Sequence, residues 1–217
     1  MTLAFPLSQA AFLDQLRIAE VRFHLSHPQS HARLAGGSVI SISLGTPLWT
    51  GAFVLDHAPH PRHAQMEALM ALLDQPGASF LCHDPRQTGP ASDPEGVILG
   101  TAAPLLHSIA PSQQALRIAA LPPFYQLSAG DMLGFSYGAA PLRHALHRIV
   151  SGGTASAGGL SPEITVIPHL RPGAAPGLPV TLIRPPCQAR LLPDPAYGSG
   201  RQALSRNARF GFIQILR

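Results

Sequence analysis

WTGAFVLDHAPHPRHAQMEALMALLDQPGASFLCHDP, residues 49–85, is the stretch that decides the fold. Its first seven residues, Trp49 to Leu55, form a β-prone run that stops at Asp56-His57-Ala58-Pro59. From about Pro61 to Gln75, Met66, Leu69, Met70 and Leu73 recur at i, i+3, i+4 and i+7, with Arg62, Gln65 and Asp74 off that stripe. The spacing predicts one amphipathic helix, entered through Pro61 and ended by Pro76-Gly77. SFLCHDP then returns as a strand. The unit is therefore strand, helix, strand, with the Met/Leu stripe as the face that covers a sheet.

Upstream, VRFHL at Val21 to Leu25 and SVISISL after Gly36-Gly37 alternate apolar and polar residues, the pattern of half-buried strands. Phe5 to Glu20 suits a short amphipathic turn or helix with Ser8 as N-cap. Downstream of Pro85, RQTGPASDPEG has no apolar periodicity and reads as a linker. From Val97 onward, ILG, LLHSI, ALRIAAL, AGDMLGFSYG, LRHALHRIV, EITVI and PVTLI are short strands separated by turn residues, the texture of a small all-β unit. SGGTASAGGLSP at 151–162 reads as a mobile hairpin loop within it. CQARLL and the closing ARFGFIQIL return to the texture of the first part. The fold class expected is mainly β with one packed helix, a β-sandwich split by an inserted small β-barrel. Residues 1–87 and 183–217 form the discontinuous outer domain and 88–182 the insert.

Composition narrows the function. The 217 residues are 46% hydrophobic and only 12% charged, which gives ample core material and argues against a disordered chain. Twenty glycines and 23 prolines imply frequent turns and exclude a long helical bundle. All fifteen basic residues are arginine, set against eleven acids; a formal charge of +4 with no basic run is a weak signal for a polyanion, so no sequence-specific nucleic-acid partner is expected. The apolar runs are too short for a membrane helix, and the N-terminal stretch lacks a basic region and carries Asp14 inside its apolar part, unlike a signal peptide. Synthesis in a cytoplasm and no membrane partner are the expectations.

Candidate chemistry is thin. His57, His60 and His63 are spaced by three, but Pro59 and Pro61 disfavour one shared helical face, so no metal is expected there. His144 and His147 fall on opposite faces of a strand and read as surface histidines. Cys82-His83-Asp84 is a suggestive triplet, yet strand neighbours point apart and cannot easily pair as nucleophile and base. Cys82 and Cys187 are too few and too far apart in sequence for a zinc motif or a disulfide framework. They are expected as free, largely buried thiols that neighbour each other if the split-domain reading holds. Asp84, Asp93 and Asp131 suit turns, and neither a GxSxG elbow nor a phosphate-cradling loop is present. No catalytic residue, cofactor or metal is assigned, and the chain is read as not an enzyme.

The order of the pieces carries a resemblance: GGSVISISLGTPLW, then WTGAFVL, the helix HAQMEALMALL, the FLxxDP phrase at Phe80 to Pro85, AGDMLGF, a Gly-rich hairpin, PHLRPGAAPGLPV and RPPCQARLL. From roughly Val21 to the end, the chain resembles the minor or distal tail proteins of tailed bacteriophages, encoded among the tail genes of siphophages and prophages. It departs from them in its His-rich Pro59 to His63 entry and in a cysteine at each domain crossing. The resemblance implies a tail-tube-like β-sandwich interrupted by a small barrel, with six copies in a ring at the distal end of the tail, joining the tail tube to the baseplate or tail tip. Its implied partners are further copies of itself, the tail-tube protein and a baseplate hub or tail-tip protein, and its place is the virion tail tip after synthesis in the host bacterial cytoplasm. Alternatives are another tail completion or tube-end ring protein, and a small carbohydrate-binding module or enzyme, for which the insert offers Phe124, Tyr125, Phe135 and Tyr137 as aromatic platform. Arg22, Arg33 and Arg62 are candidate polar-rim contacts between subunits. Trp49, in an alternating strand, is a core anchor that also stands as a subunit-contact candidate.

Overall fold

The computed structural model describes residues 4–201 and 203–216. A 3-10 turn at Leu13–Gln15 precedes β1 (Ile18–Ser26), β2 (Gln29–Arg33), β3 (Val39–Ser43), β4 (Leu48–Leu55), β5 (Ala58–Pro59) and the helix α1 (His60–Leu73). Then follow β6 (Phe80–Cys82), β7 (Leu105–Ile109), β8 (Ala115–Ala119), β9 (Gln126–Leu127), β10 (Met132–Tyr137), β11 (Arg143–Ser151) and β12 (Gly153–Thr154). The chain closes with β13 (Ile164–Ile167), β14 (Val180–Thr181), β15 (Cys187–Leu191), β16 (Ser199–Arg201), β17 (Leu204–Arg206) and β18 (Arg209–Gln214). The architecture is mainly β with one helix and a small, nearly closed barrel, as the alternation in the sequence requires.

The chain divides into two compact units, each discontinuous in sequence. Arg17–Asp74 with Arg190–Ile215 make a helix-bearing unit; Gln75–Ala189, with the described part of Met1–Leu16 and Leu216, make a barrel unit.

In the helix-bearing unit β4 is central, antiparallel to β1 on one side and to β18 on the other. Gly51 sits opposite Phe23 of β1 and Phe212 of β18. With no side chain at 51, the Phe23 and Phe212 rings come to 5.1 Å across the strand, and Phe212 stacks on Phe53 at 5.2 Å. Phe23 also meets Trp49 at 5.5 Å and Phe53 meets Phe210 at 5.3 Å, so one face of the sheet is a continuous aromatic layer. A Cβ at 51 would fall 1.8 Å from the Arg22 carbonyl oxygen and 2.9 Å from the Phe212 ring. The helix buries His63, Met66, Met70 and Leu73 and packs against β5 and β17. Pro61 lies in its first turn, where a missing N–H costs no helical bond.

In the barrel unit the strand order is β14-β10-β11-β13-β8-β7. Closure is nearly complete because Leu106 donates its N–H to Leu178 and accepts from Gly177, tying β7 to the segment that enters β14. Leu116, Ile118, Leu133, Phe135, Ile149 and Ile164 fill the interior with Tyr125 and Tyr137. Beside the barrel, β6 and β15 form an antiparallel ladder. At the N-terminus Ser8 does cap a turn, its Oγ accepting from the Ala11 N–H at 3.2 Å, and Leu7, Phe12, Leu13 and Leu16 are buried.

Several expectations need correction. VILG at 97–100 forms turns rather than a strand, because buried Asp93 accepts the N–H groups of Ile98 and Leu99 and the Tyr125 hydroxyl. The expected linker after Pro85 is fastened by a second buried carboxylate: Asp131 accepts from Gln87 Nε2, Ala91 N–H and Ser128 N–H at 2.7–3.1 Å. The Gly-rich segment expected as a mobile loop pairs through β12 with β9, and Ala155 and Ser161 are buried. There the glycines permit close approach, since a Cβ on Gly152 would fall 2.0 Å from the Leu127 carbonyl oxygen. QSHAR at 29–33, Ser199–Arg201 and Leu204–Arg206, for which the sequence reading assigns no strand, are strands.

Gly51→Ala, which forces β1 away from β4, is expected to destabilise the protein by roughly 2–4 kcal/mol. Chemical denaturation of the folded variant reads this directly, and an unchanged midpoint would show that the ladder accommodates a Cβ.

Candidate functional site

The histidines disperse. His57 is exposed, its ring Nδ1 2.7 Å from Asp56 Oδ1. His60 Nδ1 meets Ser205 Oγ at 2.7 Å, and buried His63 sets Nδ1 3.1 Å from Glu67 Oε1 one helical turn on. A groove of about 590 Å³ includes Val54, Asp56, His57, Arg206 and Asn207 in its lining, with its Asp56–His57 pair open to water. Among the described residues no group of three or more His, Cys, Asp or Glu is placed to hold a metal ion, and no helix is long and apolar enough to cross a membrane.

His144 and His147 do lie on opposite faces of β11, but neither is a free surface group. His144 is half-buried and pairs with Ser136 Oγ at 3.0 Å, and burial lowers its pKa; His147 is 2% exposed, stacked on Phe135 at 5.5 Å, with Nδ1 2.7 Å from the Pro168 carbonyl. That carbonyl can only accept, so Nδ1 carries the proton. Nε2 has no hydrogen-bond partner among the described residues. Burial lowers the His147 pKa to about 4 against the hydrogen bond that His147 donates to the Pro168 carbonyl, which raises it. His83 is also lowered to about 4, by burial first and by the Arg184 guanidinium second. Arg184 itself is paired with Asp14.

The Cys82-His83-Asp84 triplet makes no catalytic triad. Burial pushes the Cys82 thiol well up, so it holds its proton and is a poor nucleophile. Asp84 is occupied by its own turn, accepting from the Arg86 N–H at 3.1 Å and from the Arg86 guanidinium at 2.7 and 2.9 Å. Of the four aromatics considered as a sugar platform, Tyr125, Phe135 and Tyr137 are buried and Phe124 alone is exposed.

What stands out instead is the β2–β3 hairpin. SVISISL reads as half-buried, yet all ten residues of the two strands are exposed. The register, Ser30↔Ile42 and Ala32↔Ile40, places Ser30, Ala32, Ile40 and Ile42 on one face and Gln29, His31, Arg33, Val39, Ser41 and Ser43 on the other. Ile40 and Ile42 are 46% and 60% exposed, and Leu44 just beyond is 67% exposed. His31 Nδ1 and Ser41 Oγ pair at 2.7 Å across the polar face, and Gly37, at φ 86°, lets the turn close with its N–H on the Leu34 carbonyl. Between Glu20 and Asp56 the chain has no carboxylate, so the hairpin carries basic groups and histidines only. A two-stranded ribbon with a bare apolar face is marginal in water. The alternation that should have buried Ile40 and Ile42 is intact, but among the described residues none covers them.

The subunit-contact candidates separate on the same ground. Arg33 sits at the end of β2, opposite Val39. Arg22 is exposed on the edge strand β1, 3.6 Å from Glu20. Arg62 is half-buried and donates to Gln65 Oε1 at 3.0 Å. Trp49 is 0% exposed, packed on Phe23 with its backbone N–H on Gln214 Oε1, and serves as the core anchor of its unit. The hairpin residues Ala32, Ile40 and Ile42 were missed as site residues because alternation gives the face and not what covers it.

No family model matches the chain, and no curated protein matches it.

Acid should loosen the protein in a defined window. The folded-state pKa of His147, about 4, lies below the ordinary 6.5, so the unfolded chain takes up the proton first. This contribution is full above pH 7 and drains as pH falls from 6.5 toward 4, by roughly 3 kcal/mol. His147→Asn, which keeps a donor for the Pro168 carbonyl, is expected to flatten the decline of the melting midpoint across that window. An equally steep decline in the variant would assign the acid sensitivity elsewhere.

Proposed function

We propose that this chain is a virion structural protein of a tailed bacteriophage, assembling as a closed homo-oligomer, a hexameric ring, at the distal end of the tail between the tail tube and the baseplate or tail tip. The observation that carries the reading is the bare apolar face of β2–β3. Ala32, Ile40 and Ile42 form a strand-patterned apolar surface that burial against another surface would stabilise. The ordered sequence phrases from GGSVISISL to RPPCQARLL support the choice of tail protein among assembly proteins, and a mainly β build with one packed helix agrees with it.

Assembly in a ring explains the distribution of charge on the hairpin. Its polar face carries His31 and Arg33 without a carboxylate, so that face suits an acidic surface, while an apolar surface suits the opposite face of Ala32, Ile40 and Ile42. Arg22, on the outer strand β1, adds a second basic position beside an unpaired sheet edge. On this reading the partners are identical copies first, then the tail-tube protein on one side and a baseplate hub or tail-tip protein on the other. The protein is made in the host cytoplasm and resides in the virion.

The test is assembly of the purified chain, alone and with its tail-tube partner, followed by mass photometry and particle images. Six-fold rings are expected. The double variant Ile40→Asp, Ile42→Asp should keep its circular dichroism spectrum and lose the rings, because charging a face already exposed to water leaves the monomer intact while placing carboxylates in the contact. A wild-type chain that stays monomeric under both conditions, or a double variant that still forms rings, would overturn the proposal.

A further inference from the structure

Cys82 and Cys187 are 105 residues apart in sequence and directly opposed in space. They are Cα partners in the β6–β15 ladder, and their Sγ atoms lie 3.6 Å from each other. Both side chains are wholly buried. The ladder is held on both sides of the pair: Leu81 opposes Gln188 and Phe80 opposes Ala189, Gln188 Nε2 donates to Ser79 Oγ at 3.1 Å, and the Leu81 N–H donates to the Leu7 carbonyl at 2.8 Å.

We propose that this pair is a dithiol built to close into a disulfide, reduced in the newly made chain and oxidised once the protein meets a small-molecule disulfide. Directly opposed residues of an antiparallel ladder have Cα separations of about 4.5–5.5 Å, inside the range of about 4.4–6.8 Å that a disulfide spans. The sulfurs share one face, so closure needs side-chain rotation and not a change of register. Two buried thiols acting only as small hydrophobes have no need to oppose each other at this distance.

The oxidant is a disulfide of the oxidised glutathione class. One cysteine thiolate attacks it, forming a mixed disulfide and releasing one glutathione thiolate. The second cysteine thiolate then attacks the cysteine sulfur of that mixed disulfide, forming the Cys82–Cys187 bond and releasing the second glutathione. The two cysteines give up two protons and two electrons, and the oxidant is reduced to two thiols. Because the sulfurs are sealed in the ladder, the first exchange takes place on a chain in which β6 and β15 have opened. Reclosure then brings the second sulfur onto the mixed disulfide. Once formed, the bond lies out of reach of external thiols, and it closes a loop that contains every strand from β7 to β14.

The full-length protein, denatured and refolded with oxidised glutathione, is expected to give one species lighter by two hydrogens, a Cys82–Cys187 cross-linked peptide, and a melting midpoint raised by roughly 5–10 °C that dithiothreitol reverses in denaturant. Cys82→Ala and Cys187→Ala should each abolish both the mass change and the gain in midpoint; the wild-type mass measurement stands even where a variant fails to fold. Free thiols after refolding in the oxidant, a glutathione adduct as the stable end product, or a cross-link that lowers the midpoint would overturn the proposal.

Discussion

The helix-bearing unit depends on a missing side chain. At Gly51 the central strand carries no Cβ, and into that gap lean the rings of its two cross-strand neighbours, Phe23 and Phe212. Around them Trp49, Phe53 and Phe210 complete the aromatic layer. Glycine in a strand interior weakens the strand by itself, and the aromatic contacts across it offset that loss. Substituting the large residues at 23 and 212 would leave a hole, and substituting the glycine would part the ladder. Register and packing are thus fixed by the same three positions, which gives one pairing of β1, β4 and β18 a large advantage over slipped alternatives.

The aromatic layer was legible because its residues keep period two, in VRFHL, WTGAFVL and ARFGFIQIL, and the helix because its Met/Leu stripe keeps the helical period across an unbroken run. Polar anchors were not legible. Asp93 and Asp131 were read as ordinary turn residues, yet each carboxylate collects three hydrogen bonds, two of them from backbone N–H groups, and so converts an aperiodic stretch into fixed structure. Nothing local marks an aspartate that will be buried by segments dozens of residues away. The glycines of 151–162 misled for the related reason that composition does not distinguish a glycine that frees the backbone from one that lets two backbones touch. His147 belongs with them: its strand position was correct, and the Phe135 ring and Pro168 carbonyl that enclose it come from two other segments.

The hairpin is a different kind of failure. For β2–β3 the period was right, the strand β3 was right, and the burial was wrong. Alternation is a record of what a side chain meets in the functional state, and a monomer fold reports only what the chain meets in itself. Where the two disagree at successive positions of one face, as at Ile40 and Ile42, the disagreement supports the proposed assembly more than any single exposed residue would, because isolated exposed hydrophobes are common on ordinary surfaces.

The geometry of such an arm also constrains the assembly it can make. The two faces of the hairpin differ in chemistry: Ala32, Ile40 and Ile42 point one way, and His31 and Arg33, with no carboxylate in the hairpin, point the other, so a surface that covers the apolar face does not meet the basic groups. In the proposed ring the contact is heterologous, arm of one copy onto a different surface of the next. Heterologous contacts repeat around a rotation, and they end only when that rotation closes the set or continues as a helix. A closed ring satisfies every arm with one acceptor and leaves none bare, whereas an open filament leaves an uncovered arm at one end. The number six and the closure of the ring both come from the resemblance to tail proteins and not from the arm.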